Sequence, residues 1–338
     1  FIINMKLSVI LPVYNSANFI VECLDSIYRQ ELALLDFEVI TVDDGSTDNS
    51  LLLLTEYAKF HPNLIVIHQD NAGPSAARNR AIRQAKGDYL IFIDSDDYWL
   101  DGQLKQMVDI AYAHDLDILR GDYSNCDEKG NMLKKNIHYL SRTTYEYKEI
   151  DGETLFSSIY CMEFFTPLLL QKRSFILSNK ILFEEGVYFE DIEYCMKIAL
   201  SSPKAMYIPN HFYVYRLRKG SITHTINEKK IVDLIRIINK MNNLCHNAPF
   251  GIIGTEVLHL NLAHLCTYLL VRLSEPLLYP DRKKLLSLLN ISRIPVKGGK
   301  KEKFIATLYN LFGYKSIDLL HPIMTMKIKL MGNAKSEE

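Results

Sequence analysis

The tetrapeptide DSDD at 94–97 places three carboxylates, Asp94, Asp96 and Asp97, within four residues. Like charges that close repel, and each raises its neighbours' affinity for a proton unless something neutralises them. A divalent cation does so, since Mg²⁺ takes one or two carboxylates together with phosphate oxygens. An acidic turn or helix cap would use the same residue types without any metal. Context favours the cation, because DSDD follows at once on the apolar run YLIFI at 89–93. A second cluster, DDGSTD at 43–48, follows FEVITV at 37–42, and the pair Glu190–Asp191 opens a segment of helical spacing. Neither GxGxxG nor GxxxxGK[ST] occurs, and Gly298–Gly299–Lys300 lacks both the spacing and a preceding strand. A nucleotide would then be held by a metal, by Arg78 on a helix and by a stacked aromatic. Tyr14 can stack on a base and Asp44 can accept from a base N–H. Ordinary packing for Tyr14 and a turn role for Asp44 fit the residue types equally well.

These groups need a frame, and the hydrophobic pattern predicts one. KLSVIL at 6–11 reads as a buried strand, with Asn15 or Ser16 capping a helix that carries Phe19, Ile20, Cys23, Leu24 and Ile27 at helical spacing. FEVITV is a second strand, and Ser46, Thr47 or Asp48 caps the helix running through Tyr57. Leu64–Ile67 is a third strand, followed by a helix AARNRAIRQAK capped by Ser75 and ended by Gly87 at its C′ position. YLIFI is the fourth strand. This alternation predicts an α/β fold with a mostly parallel, Rossmann-like sheet wrapped by helices. Residues 12–15, 43–48 and 94–97 all follow strand ends, where the ligand crevice of such sheets lies. The stretch 121–220 is mixed, and the pattern leaves it unassigned. From Asn227 onward the spacing is helical, with Pro249, Pro276, Pro280 and Pro295 dividing the helices.

The formal net charge of −1 over 338 residues excludes a strongly basic nucleic-acid binder. It is also a sum of opposites: residues 1–224 carry 22 Lys and Arg against 31 Asp and Glu, and residues 225–338 carry 17 against 9. Six cysteines without a CxxC pair suggest reduced thiols and a cytoplasmic setting. The longest apolar stretch, Ile252–Leu273, is broken by Glu256, His259, Asn261, His264 and Arg272, which argues against a membrane span.

PVYN at 12–15, VDDGSTD at 42–48, NAGPSAARNRAI at 71–82, GDYLIFIDSDD at 87–97 and EDIEY at 190–194 together resemble the signature series of family-2 glycosyltransferases with the GT-A fold. YVYRLRKGSIT at 213–223 is similar to a segment of bacterial capsular and exopolysaccharide members. The resemblance implies a catalytic domain at 5–224, with a donor half at about 5–120 and an acceptor half at about 121–224, followed by a helical, basic region at 225–338. It implies a nucleoside-diphosphate sugar donor, most often a uridine one, and a glycan or lipid-linked acceptor. Pro12, Tyr14, Asn15 and Asp44 would hold the base, Asn71, Arg78 and Asn79 would face ribose and diphosphate, and Ser95 would lie among them. Asp94 and Asp96 match the DxD pair that binds Mn²⁺ or Mg²⁺ with the diphosphate. Asp97 would serve the acceptor side, Asp191 would be the general base of an inverting displacement, and Glu190 would accompany it. Arg216 and Arg218 would close over the diphosphate, and His224 would reach the metal. An ordinary carboxylate is ionised at pH 7, so Asp191 would need no large shift.

Two other readings remain. A nucleotidyltransferase also uses paired carboxylates on a parallel sheet, but it carries a glycine-rich basic loop where this chain has PVYN. A sugar- or membrane-binding module without activity would not need Asp44, Asp94, Asp96 and Asp191 together. In the tail, residues 282–335 hold 12 basic against 2 acidic residues among apolar segments. Such helices suit an anionic membrane surface, peripheral on the inner face of the cytoplasmic membrane, or a homodimer.

Overall fold

The run LSVILPV forms strand β1 (Leu7–Val13), and FEVITVDD forms β2 (Phe37–Asp44), buried at every position as a strand covered on both faces must be. Between them α1 (Ile20–Tyr28) turns Ile20, Cys23, Leu24 and Ile27 inward. α2 (Ser50–Ala58), β3 (Leu64–Gln69), α3 (Pro74–Gln84) and β4 (Tyr89–Phe92) complete the alternation. β1 pairs in parallel with both β2 and β4, and β2 with β3, giving the order β3-β2-β1-β4. The chain steps outward from β1 to β3, then returns to β4 on the far side of β1. That reversal opens a crevice at the carboxyl ends of β1 and β4.

This computed structural model describes residues 5–133, 142–160, 163–218, 227–247 and 251–334. The chain divides into two units, Phe1–His224 and Thr225–Glu338. In the first, β4 is followed by β5 (Tyr98–Trp99), α4 (Gln103–His114), β6 (Ile118–Cys126), α5 (Arg142–Tyr145), β7 (Glu149–Ile150) and α6 (Gly152–Leu155). β8 (Leu169–Lys172), α7 (Arg173–Ser178), α8 (Glu190–Ser201) and β9 (Ala205–Arg216) close the unit. The sheet runs on as β4-β8-β6-β9-β5, with β7 also on β9. β6 and β9 point the same way as β1 to β4, while β8, β5 and β7 run against them. The sheet is therefore mostly parallel, and the stretch the pattern left unassigned supplies its mixed half.

Three helix ends differ from expectation. The N-cap position of α3 is Gly73 at φ 91°, with Pro74 in the first turn, and Ser75 lies inside the helix with its Oγ buried and unpartnered. Proline's fixed φ and missing N–H suit a helix start, so Pro74 sets the boundary. Gly87 does not take a left-handed C′ conformation. A Cβ there would sit 2.4 Å from the Leu7 carbonyl carbon and the Ser8 nitrogen, so glycine is needed for close approach to β1. α1 has no side-chain cap, and the Ser16 carbonyl instead accepts the N–H groups of Phe19 and Ile20.

The second unit contains α9 (Glu228–Asn247), α10 (Ile252–Leu273), α11 (Arg282–Leu286), α12 (Lys300–Phe312) and α13 (Lys315–Ala334). α10 packs against α9, α12 and α13, burying Leu234, Ile238, Leu262, Cys266 and Leu269. Among the described residues no helix is long and apolar enough to cross a membrane.

Candidate active site

Arg78 is the hub of the site. It stands on α3, buried, and its guanidinium reaches three carboxylates. Nη2 donates to Asp94 Oδ1 at 2.9 Å, and Nη1 donates to Glu190 Oε1 at 2.9 Å and lies 3.9 Å from Asp191 Oδ1. The end of β4 and the first turn of α8 are thus joined by one cation, and its flat face lies over the Phe183 ring at 5.2 Å. Burial works against the arginine's charge, but Asp94, Asp191 and Glu190 hold it protonated above the ordinary range. Phe183 in turn stacks on Tyr194 at 3.8 Å, so the hub has a rigid aromatic floor.

Asp191 is 24% exposed and accepts a hydrogen bond from Thr166 Oγ1 at 2.7 Å. Burial pushes its carboxyl up to about 7; Arg78 and the Thr166 bond pull it down, and Glu190 and Asp94 add to the rise. The cluster thus partly withdraws this carboxylate from water.

The acidic turn splits in two directions. Asp94 and Asp96 are 27% and 21% exposed, and Asp96 Oδ2 makes a short ion pair with Arg218 Nε. Burial and then Asp94 raise the Asp96 carboxyl above its ordinary range against the pull of Arg218. Asp97 points the other way. It is 2% exposed, takes a hydrogen bond from Tyr213 Oη, and accepts the Arg216 N–H at 2.8 Å. Burial, then Asp96 and Asp94, raise its carboxyl well above the carboxylate range. Asp97 is therefore held in the core, and Arg216 is enclosed as well. It is 4% exposed, its Nε donates to the Asp96 carbonyl at 2.9 Å and its Nη2 to Glu22 Oε2 at 2.7 Å, and it lies between Phe19 and Tyr98. A guanidinium so enclosed braces the turn.

Three donor-side residues are likewise engaged within the protein. Asp44 is 3% exposed, and its carboxylate accepts from Gln69 Nε2 at 2.7 Å and from the Ala72 and Gly73 N–H groups, both at 2.8 Å. Its bonds fold the loop after β3. Asn79 is 2% exposed and binds Phe183 N–H, Phe183 carbonyl and Glu185 Oε1, so it clamps the 183–185 segment to α3. Asn15, at φ 49°, accepts the Thr47 N–H at 2.8 Å and the Asp48 N–H at 3.3 Å, tying the ends of β1 and β2 together. Tyr14, by contrast, is 50% exposed at the end of β1, with Pro12 half-buried beside it. Asn71 is exposed and donates to the Asp44 carbonyl. Ser95 is buried against Ser16 through a short hydroxyl–hydroxyl bond. His224 lies outside the described residues.

Thr166 and Phe183 escaped the sequence reading. A single threonine in a turn and a phenylalanine in a loop carry no periodic signal, though EEGVYFEDIEY showed that a chemically dense segment begins near Phe183. Asp94 and Asp96, partly exposed and crowded enough that Asp94 adds to the rise of the Asp96 carboxyl, suit a divalent cation that completes its shell with phosphate oxygens. Among the described residues no group of three or more His, Cys, Asp or Glu converges on one point, so the protein alone would supply an incomplete shell.

Residues 8–170 match the model of Glycosyl transferase family 2. The Poly(ribitol-phosphate) beta-glucosyltransferase of Bacillus spizizenii is 34% identical over 218 residues, 64% of this chain and 33% of that protein. The chain thus spans about a third of the length of this curated relative. Among solved structures, S. aureus TarS 1-349 in complex with UDP-GlcNAc superposes with a TM-score of 0.67 at 22% identity, over 94% of this chain and 92% of that one. The mannosyltransferase PcManGT from Pyrobaculum calidifontis, in complex with GDP-Man and Mn²⁺, gives 0.55 at 18% identity, over 95% and 84%. These likenesses show the fold, a GT-A sheet followed by helices. Residues 8–170 are thus a Glycosyl transferase family 2 domain.

Proposed function

We propose that the chain transfers a sugar from a nucleoside-diphosphate sugar, a uridine one, to a hydroxyl of a glycan or lipid-linked acceptor in bacterial surface-polysaccharide synthesis, with inversion. The observation that carries the reading is the Arg78 hub. It fixes a partly exposed carboxylate with a pKa of about 7, Asp191, beside the strand-end carboxylate Asp94. The relative named as a glucosyltransferase and the fold neighbour crystallised with UDP-GlcNAc support a uridine donor.

In this reading Asp191 accepts the proton of the attacking acceptor hydroxyl, and its raised pKa places it where a general base works best near neutrality. Its Oδ1 is held by Thr166, which leaves Oδ2 to meet the hydroxyl. Arg78 keeps Asp191 and Asp94 at fixed separation, and Tyr14 offers its exposed ring to the base. Arg218, one-third exposed, is the cation available to the diphosphate. Asp94 and Asp96 would hold Mn²⁺ or Mg²⁺, which supplies charge neutralisation for the leaving diphosphate. For the basic C-terminal region the proposed partner is an anionic membrane surface, with a second copy of the chain as the competing occupant.

The test is release of nucleoside diphosphate from UDP-glucose, UDP-GlcNAc and GDP-mannose with Mn²⁺ present, alongside thermal stabilisation by each donor. Donor-dependent release that EDTA abolishes is expected. If no donor is cleaved and none shifts the melting temperature, the reading fails in favour of a non-catalytic module.

A further inference from the structure

The second unit has an oddity in its outermost helices. Large apolar side chains lie outside: Phe304 and Leu311 on α12 are 58% and 70% exposed, and Leu319, Ile323 and Met326 on α13 are 50%, 60% and 65% exposed. Their spacing is regular. Phe304, Leu308 and Leu311 fall at i, i+4 and i+7, as do Leu319, Ile323 and Met326, so each helix presents one apolar stripe outward. The opposite side of each helix is already used, with Ile305 and Ala306 buried on α12 and Ile317 and Leu320 buried on α13. These helices are therefore apolar on both sides. Monomeric proteins rarely leave such continuous apolar surface bare.

The charges beside the stripes select the occupant. Lys300, Lys301 and Lys303 are exposed at the start of α12, and Lys315 at the start of α13. The acids of the same two helices face elsewhere: Glu302 lies 3.8 Å from His264, and Asp318 accepts from Tyr279 Oη and Arg282 Nε. The stripes are thus bordered by lysines without acidic counterparts on the same face. An isologous dimer through this surface would bring two sets of these lysines, and no acid of the same faces, to one interface. A bilayer with anionic headgroups offers the reverse, with acyl chains for the apolar stripe and negative charge for the lysines.

We infer that the faces of α12 and α13 bearing Phe304, Leu311, Leu319, Ile323 and Met326, with Lys300, Lys301, Lys303 and Lys315 at their rim, form an in-plane docking surface for an anionic lipid membrane. This gives residues to the membrane partner proposed above and rests on that part of the reading alone, independent of the transfer chemistry.

The experiment is co-sedimentation of the full chain with vesicles of phosphatidylcholine alone and of phosphatidylcholine with 30% phosphatidylglycerol, at low and high salt. Binding to the anionic vesicles at low salt, lost at high salt and absent with neutral vesicles, is expected. K301A/K303A should weaken partitioning by about thirtyfold, as two near-surface lysines are expected to do. L311E/I323E should abolish it, and because both positions are exposed the variant should keep the wild-type circular dichroism and donor turnover. Three results overturn the proposal. One is absence of binding to anionic vesicles, and another is binding that L311E/I323E leaves unchanged. The third is a dimer in analytical ultracentrifugation that L311E/I323E dissolves while vesicles are ignored. None of them touches the transfer reading, which stands or falls on diphosphate release.

Discussion

Two buried arginines flank the acidic turn at 94–97, and their surroundings differ in one respect that matters. Arg78 gathers Asp94, Glu190 and Asp191, and each of these acids keeps some exposure. Arg216 braces the other side of the turn through the Asp96 carbonyl, Glu22 and its backbone bond to Asp97, and Asp97 is sealed. Both regions contain a carboxyl raised by burial, so raised affinity for a proton does not by itself mark a catalytic group. Access does. The Arg78 region can exchange protons with a bound substrate, and the Arg216 region can only hold the turn in shape.

The largest effect should therefore separate Asp191 from Asp97. D191N is expected to lower kcat by about 10²–10⁴, the range for removal of a general base, with donor-induced thermal stabilisation preserved. D97N should leave turnover per folded molecule within a few-fold of wild type. Comparable losses in both variants would break the distinction. Next in size is a stability effect. R216M removes the guanidinium that bridges the Asp96 carbonyl and the half-exposed Glu22, and urea unfolding should show a loss of about 1.5–3 kcal/mol, the contribution of a hydrogen bond to a charged group. Activity of the folded fraction should survive. An R216M protein of wild-type stability would show that Arg216 is not the brace described.

The third prediction concerns pH. A carboxyl whose folded pKa exceeds its unfolded value binds more protons in the folded state between those two values, so stability falls as pH rises through that window. For Asp191 the window runs from the ordinary carboxylate range to about 7. Thermal melts of D191N should therefore show a flatter decline than wild type from about pH 4 to 7. An unchanged slope would mean that Asp191 is not withdrawn from water.

What the sequence made legible follows the same division. β1 to β4 and the acids at their ends were readable because strand, cap and cluster signals are local, each within a dozen residues. Direction was not readable. Asp96 and Asp97 are adjacent and of one type, yet one meets Arg218 and the other Tyr213, both more than a hundred residues on. Asn79 matched a donor-facing segment by resemblance, and its side chain is taken by Phe183 and Glu185. Asp44 and Arg216 make the same point, since residue type gives the charge and tertiary contacts decide what the charge meets. The mixed half of the sheet was opaque because β8 and β7 are four and two residues long, too short for a periodic pattern, while β6 and β9, nine and twelve residues long, break their apolar runs with Arg120, Asp122, Asn210 and His211.

The smallest effect gives the finest test of the comparison, and it turns on Thr166. This residue is fully buried, and its hydroxyl donates to Asp191 Oδ1 at 2.7 Å, favouring the ionised form against the burial that raises it. Arg78 from α3, Glu190 from the same turn of α8 and Asp94 from the end of β4 also face the carboxyl, and they stay in place when the hydroxyl is removed. A hydrogen bond to a charged group contributes about 1.5–3 kcal/mol, and one pKa unit corresponds to about 1.4 kcal/mol. T166V should therefore move the ascending limb of kcat/KM against pH, centred near 7 in the wild type, upward by about one unit. T166S keeps a hydroxyl and should restore most of the shift. A T166V protein with lower activity at every pH but an unmoved limb would assign Thr166 to packing alone. A limb that moves and is rescued by serine would place it with the Arg78 region, as the residue that holds the base ionisable at neutral pH.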